Sequence, residues 1–172
     1  MRGEIFQKLL EFVYTVKTPE VKDVTAAIDI LLAANRFDCT QLKLYVESVI
    51  VDKFLTPIIA VKLLILGDSY SCALLKEAAM NLCASDISAA EGSEGWSELK
   101  ESNCLLYELL KCVSQKFLSY KNDHDATTTT TTVDNLDVTS LREQLQESKL
   151  EVDGSRSMLV ARLKKHRQQE KK

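Results

Sequence analysis

Residues 127–132 are six consecutive threonines, and this run limits what the chain can fold into more than any other feature. Threonine is β-branched and disfavours helix, and a polar tract with no apolar partner cannot offset its ordering entropy. Asn122, Asp123, His124 and Asp125 lead into the run, so residues 121–133 read as a flexible Thr-rich linker. It divides a chain of 172 residues into a long part, residues 1–120, and a short one, residues 134–172. That is room for one ordinary domain, or for one incomplete domain and a mini-domain. With 45% hydrophobic residues the chain can build a core, and with 27% charged residues it is not disordered throughout.

Charge separates the same two parts. Residues 133–172 hold nine Lys+Arg against seven Asp+Glu, a net of +2. The rest carries −5, since the whole chain is at −3. Such an asymmetry predicts two pieces with different partners. The most apolar run, residues 58–66, is broken by Lys62 and is too short to span a bilayer, so no membrane partner is expected.

Helical periodicity dominates the long part. Ile5, Phe6, Leu9, Leu10 and Val13 mark a first helix over residues 4–14. Ala27, Ile28, Leu31 and Leu32 mark a second, and Leu42, Tyr45, Val46, Val49 and Ile50 a third. Thr56-Pro57 reads as a helix start with a hydroxyl N-cap. Leu74, Leu75, Ala78, Ala79 and Leu82 form another stripe, and Leu105, Leu106, Leu109, Leu110, Val113 and Phe117 the last. Residues 91–95 hold two glycines and read as a loop. Only residues 15–23 have strand character, and Pro19 confines them to an edge strand or an extended segment. The fold class expected is mainly α, with at most one short strand.

Offset by 33 residues, Leu31 falls on Leu64, Phe37 on Tyr70, Cys39 on Cys72, Leu42 on Leu75 and Lys43 on Lys76. This echo is either a repeated helix–turn–helix unit or a coincidence between two amphipathic hairpins. A solenoid is disfavoured, because two copies cannot cap a stack.

No enzyme chemistry is legible. The sequence has no glycine-rich phosphate loop, no Cys–His pairing on ordered elements and no convergent carboxylate motif. Paired acids such as Glu98 and Glu101 read as solvated faces. The cysteines Cys39, Cys72, Cys83, Cys104 and Cys112 form no CxxC pair, and His124 and His166 lie in polar surroundings, so neither a metal site nor a cofactor is expected. Odd in number and flanked by apolar residues, the cysteines read as free buried thiols of a reducing compartment, the nucleus or cytoplasm.

In the short part, Val138, Leu141 and Leu145 form one stripe behind a capping Asp137, and Leu159 and Leu163 form a second. Between them residues 149–152 read as a short extended crossing, and Asp153-Gly154 opens the second helix. With Leu150 and Arg162, this pattern resembles the SAP motif, a helix–extended–helix module. The resemblance covers residues 134–172 and implies DNA binding, often to AT-rich sequence, near the start of the second helix. A helix N-terminus offers unpaired N–H groups and a positive dipole end to phosphate. The residues expected at such a nucleic-acid site are Gly154, Ser155, Arg156, Ser157, Arg162, Lys164, Lys165 and Arg167. The sequence departs from the motif at Ser155, where the family often has lysine. The other reading of these residues is a protein-docking or structural mini-domain with a solvated basic tail.

Residues 6–113 resemble the C-terminal half of a BTB/POZ domain of the speckle-type POZ group. Phe6-Gln-Lys-Leu-Leu-Glu-Phe-Val-Tyr-Thr15 is similar to that family's helix running into a strand. Leu31-Leu-Ala-Ala-Asn-Arg-Phe37 with Leu42-Lys43 is similar to its helix pair. Gly95-Trp96, Leu99 and Leu105-Leu106-Tyr-Glu-Leu109 are similar to the tail that follows. A full domain of that family begins with elements that this sequence does not contain. Either the chain is a piece of a longer one or a partner completes the fold, and exposed apolar surface is expected at Ile5, Phe6, Leu9 and Leu10. The resemblance implies a non-enzymatic adaptor that self-associates or binds a protein partner, a cullin scaffold of a ubiquitin ligase being one. The alternative is a nucleic-acid or chromatin-binding protein whose helical region only oligomerises.

Overall fold

The computed structural model describes residues 3–121 and 133–169. The linker expected over residues 121–133 lies, but for its two end residues, outside them, as do Lys171, Lys172 and the side chain of Phe117. Among the described residues the chain is helical and has no strand, so the mainly α class expected from periodicity is the class observed. The structure falls into two compact units, Met1–Thr56 and Pro57–Lys172.

The first unit consists of α1 (Gly3–Thr15), α2 (Val24–Arg36) and α3 (Thr40–Val49), the last continued by a π-helical turn, Ile50–Phe54. Asp23 starts α2 by accepting the Ala26 N–H at 2.8 Å, which satisfies one of the four orphan donors of a helix start. The core takes part of each stripe read from the sequence, Ile5 and Leu9 from α1, Ala27 and Leu31 from α2, and Leu42, Val46, Val49 and Ile50 from α3 and its π-helical turn, and adds Phe12, Ile30 and Ala34, which those stripes did not include. Of the two readings of residues 15–23, an edge strand or an extended segment, the strand is not formed. Thr15 closes α1, Val16 takes a positive φ of 56°, and residues 17–22 have no regular structure. Among the described residues no strand pairs with this segment, and extended propensity without a partner does not make a strand.

The second unit consists of α4 (Ala60–Ser69), α5 (Ala73–Ser85), the short α6 (Ile87–Glu91) and α7 (Trp96–Glu101), the long α8 (Asn103–Lys121), a 3-10 turn (Val133–Asn135), α9 (Val138–Glu147) and α10 (Arg156–Gln169). The helix expected to start at Thr56-Pro57 begins later, at Ala60, because residues 57–59 form a turn. α5 is the central element and packs against α4, α6, α8 and α9. Lys76 joins three of these helices, with its Nζ 2.7 Å from both Asp68 on α4 and Glu108 on α8. Burial works against the ammonium, but the two carboxylates outweigh it and hold the Lys76 pKa above its ordinary 10.5. The resulting stabilisation is fully present below that value and is lost as pH rises through the raised one.

The echo of 33 residues is a repeat of turn geometry. α2 ends with Asp38 at φ 52°, and the Cys39 N–H donates to Ala34 O at 2.8 Å. α4 ends with Ser71 at φ 54°, and the Cys72 N–H donates to Gly67 O at 2.8 Å. α9 ends in the same way, with Lys149 at φ 55° and the Leu150 N–H donating to Leu145 O at 2.8 Å. These are Schellman motifs, whose left-handed residue is most often glycine. Here Asp, Ser and Lys occupy it, at a cost of roughly 1–2 kcal/mol each for the Cβ. Lys149→Gly is expected to raise stability by up to about 1 kcal/mol, the relief of strain exceeding the entropy of the new glycine. Chemical denaturation with an unchanged m-value checks this.

Candidate interaction surfaces

In the first unit, α1 presents two adjacent apolar stripes. Ile5, Leu9 and Phe12 are buried, and α1 packs on α2. Phe6, Leu10 and Val13 lie a fraction of a turn away and are 40%, 36% and 53% exposed. The Phe6 ring meets Phe37, itself part-exposed, at a centroid distance of 5.9 Å and an interplanar angle of 51°. Tyr14 and Val16 extend the exposed surface. Of the four residues expected at an apolar contact surface, Phe6 and Leu10 are therefore on it, and Ile5 and Leu9 lie in the core beneath. Sequence reading missed Val13, Tyr14 and Phe37 as surface, because periodicity marks an apolar face without saying how much of it finds a partner.

The second surface is the helix–extended–helix pair, α9 and α10. Asp137 caps α9, and the hydrogen bond from Ser140 holds its carboxyl below the ordinary carboxylate range. Val138, Leu141 and Leu145 meet Leu159, Val160 and Leu163 in one core, with Leu150 and Val152 of the crossing packed against it. The same cluster includes Val133 before the pair and Ala73 of α5, with Leu74 and Leu136 at its margin. α9 and α10 thus share a core with α5.

The structure engages most of the cations expected to meet phosphate. Arg156 Nη2 donates to Asp134 O and Leu136 O, both at 2.7 Å, and its Nε lies 3.8 Å from Glu77 Oε1 on α5. Arg162 donates to Glu151 O and Asp153 O and pairs with the Glu151 carboxylate at 2.7 Å. Lys164 holds both oxygens of Asp134 at 2.7 Å, and Arg167 donates to Gln144 Oε1 at 2.7 Å. Gly154 is buried, with φ 118° and Met158 Sδ 3.1 Å from where a Cβ would stand. Its backbone forms an isolated parallel bridge with Cys72. Ser155 and Ser157 share a hydroxyl contact at 2.9 Å, and Lys165 is exposed. α10 itself carries five Lys and Arg residues and no acidic one.

The cysteines are not all buried, contrary to the expectation from sequence: Cys72 and Cys83 are buried, Cys39 and Cys112 are half-buried, and Cys104 is exposed on α8. Burial pushes the Cys83 thiol up to about 11, which makes it a core filler and not a nucleophile. Among the described residues no group of His, Cys, Asp and Glu side chains is arranged to hold a metal ion. No described helix is long and apolar enough to cross a membrane.

No family model matches the chain. It is 30% identical over 100 residues to TD and POZ domain-containing protein 2 of Mus musculus, covering 58% of this chain and 27% of the relative. It is 29% identical over 103 residues to TD and POZ domain-containing protein 1 of the same organism, covering 60% and 28%. TD and POZ domain-containing protein 4 is 28% identical over 100 residues. The chain spans about a quarter of the length of these curated relatives, 27–28%. About 60% of the chain is thus distantly homologous to POZ-domain proteins, and this homology supports a POZ-like protein-interaction region.

Proposed function

We propose that the chain is a non-enzymatic adaptor of the nucleus or cytoplasm whose POZ-like region docks a protein through the exposed face of α1. The observation that carries this reading is the strip Phe6, Leu10 and Val13 with Phe37, apolar side chains left in solvent beside a fully packed α1 core. Its occupant is a protein partner or a second copy of the chain. The POZ-domain relatives favour both, and the speckle-type resemblance adds a cullin scaffold as a partner of the adaptor. The double substitution Leu10→Asp with Val13→Asp places two charges on this face without touching Ile5, Leu9 or Phe12. It is expected to lower self-association or partner capture by at least tenfold, in keeping with the several kcal/mol that an unpaired charge costs in an interface. Retained circular dichroism, with association unchanged, would sink the reading.

A second reading concerns α9 and α10. The five cations of α10, with no acid among them, favour a SAP-type module that binds duplex DNA weakly and with strong salt dependence. Its contacts would be to phosphate and would carry no base information.

A further inference from the structure

Val138 is the first residue of α9, and its N–H is one of the orphan donors of that helix. The acceptor it finds is not local. Glu77 Oε2, on α5, takes this hydrogen bond at 2.8 Å. The other carboxylate oxygen, Oε1, lies 3.8 Å from Arg156 Nε at the start of α10. Arg156 in turn donates to Asp134 O and Leu136 O, the segment that leads into α9. One acid on α5 therefore touches both helices of the C-terminal pair and, through Arg156, the turn before them. Ala73 and Leu74, on the same side of α5, supply the apolar half of the contact. Cys72 at the head of α5 forms the backbone bridge to Gly154, beside the start of α10.

We propose that Glu77 is a latch: it holds the α9–α10 pair on α5 and, while engaged, withholds Arg156 from external anions. The functional half of this proposal rests on the nucleic-acid reading of α10; the latch itself does not. Two carboxylates serve the N-terminus of α9, Asp137 from its own cap position and Glu77 from α5. Asp137 secures the helix, and Glu77 secures its place. A polyanion that takes Arg156 must compete with Glu77 and two carbonyls, so DNA binding and undocking of the pair are coupled.

The test uses the full chain and two variants, Glu77→Ala and Glu77→Gln, with two readouts. Amide hydrogen exchange reports the docking of α9 and α10, and titration with a mixed-sequence DNA duplex at low salt reports Arg156. In Glu77→Ala, exchange in α9 and α10 should accelerate about tenfold, the loss expected for a charge-assisted hydrogen bond, while α2 and α3 keep their protection. Glu77→Gln keeps an acceptor for Val138 but loses the charge beside Arg156, so it should exchange more slowly than Glu77→Ala. Both variants should bind the duplex several-fold more tightly than the unsubstituted chain. Unchanged exchange in Glu77→Ala overturns the latch. Accelerated exchange with an unchanged, measurable DNA affinity overturns the withholding of Arg156. Accelerated exchange with no DNA binding by any of the three chains overturns the nucleic-acid reading alone and leaves the latch as a structural contact.

Discussion

Gly67→Ala is expected to destabilise the second unit by roughly 1–3 kcal/mol, the range for overpacking a close contact. A Cβ at Gly67 would stand 2.8 Å from the backbone N of Lys76 and 3.0 Å from its Cα. Backbone atoms of α5 cannot step aside as a flexible side chain can, so α4 and α5 must move apart. The movement would disturb two further features. Gly67 O accepts the Cys72 N–H that closes the Schellman turn, and Lys76 carries the ion pairs to Asp68 and Glu108. The corresponding residue of the α2–α3 turn is Ala34, so the turn itself tolerates a methyl group there. The glycine is required by the close approach of α5, not by the turn. Thermal denaturation of the full chain checks this. A melting temperature unchanged within error would mean that the α4–α5 approach is looser than described.

Leu159→Ala is expected to cost more, roughly 2–5 kcal/mol, as for other fully buried leucines. Leu159 is 0% exposed, at the centre of the core that α9 and α10 share with Ala73. So small a core cannot absorb that loss, and α9 and α10 should lose their hydrogen-exchange protection together. Helices α2 and α3 belong to the first unit and have a core of their own, so they should stay protected. Loss of protection confined to α10, with α9 intact, would contradict a common core.

The difference between these two positions shows what a sequence can disclose. Leu159 and its partners Val138, Leu141, Leu145 and Leu163 were legible as stripes, because burial of a helix face imposes a period on the residues themselves. Gly67 was silent, since a glycine inside an apolar helix does not say which backbone will approach it. Glu77 was equally silent. Nothing in its sequence neighbourhood singles it out, and only the fold shows it accepting the Val138 N–H at the start of α9. The cations of α10 were legible as charge, and their engagement by Asp134, Glu151 and carbonyl oxygens was not, because hydrogen bonding to backbone leaves no mark on composition. The 33-residue echo lay in between. The sequence left it open, and the matching left-handed residues Asp38 and Ser71 give it a physical content in the shared turn. Residues 15–23 left two readings open, an edge strand or an extended segment, and among the described residues no strand pairs with them.

Docking of a protein on the face of α1 that bears Phe6, Leu10 and Val13 has a direct physical signature. Sedimentation of the unsubstituted full chain over a micromolar concentration series, together with binding of an apolar dye, tests it most directly. The expected result is either concentration-dependent association that Leu10→Asp with Val13→Asp abolishes, or a monomer that binds the dye until those two charges are introduced. A monomer at every concentration that binds no dye, with or without the substitutions, would contradict it.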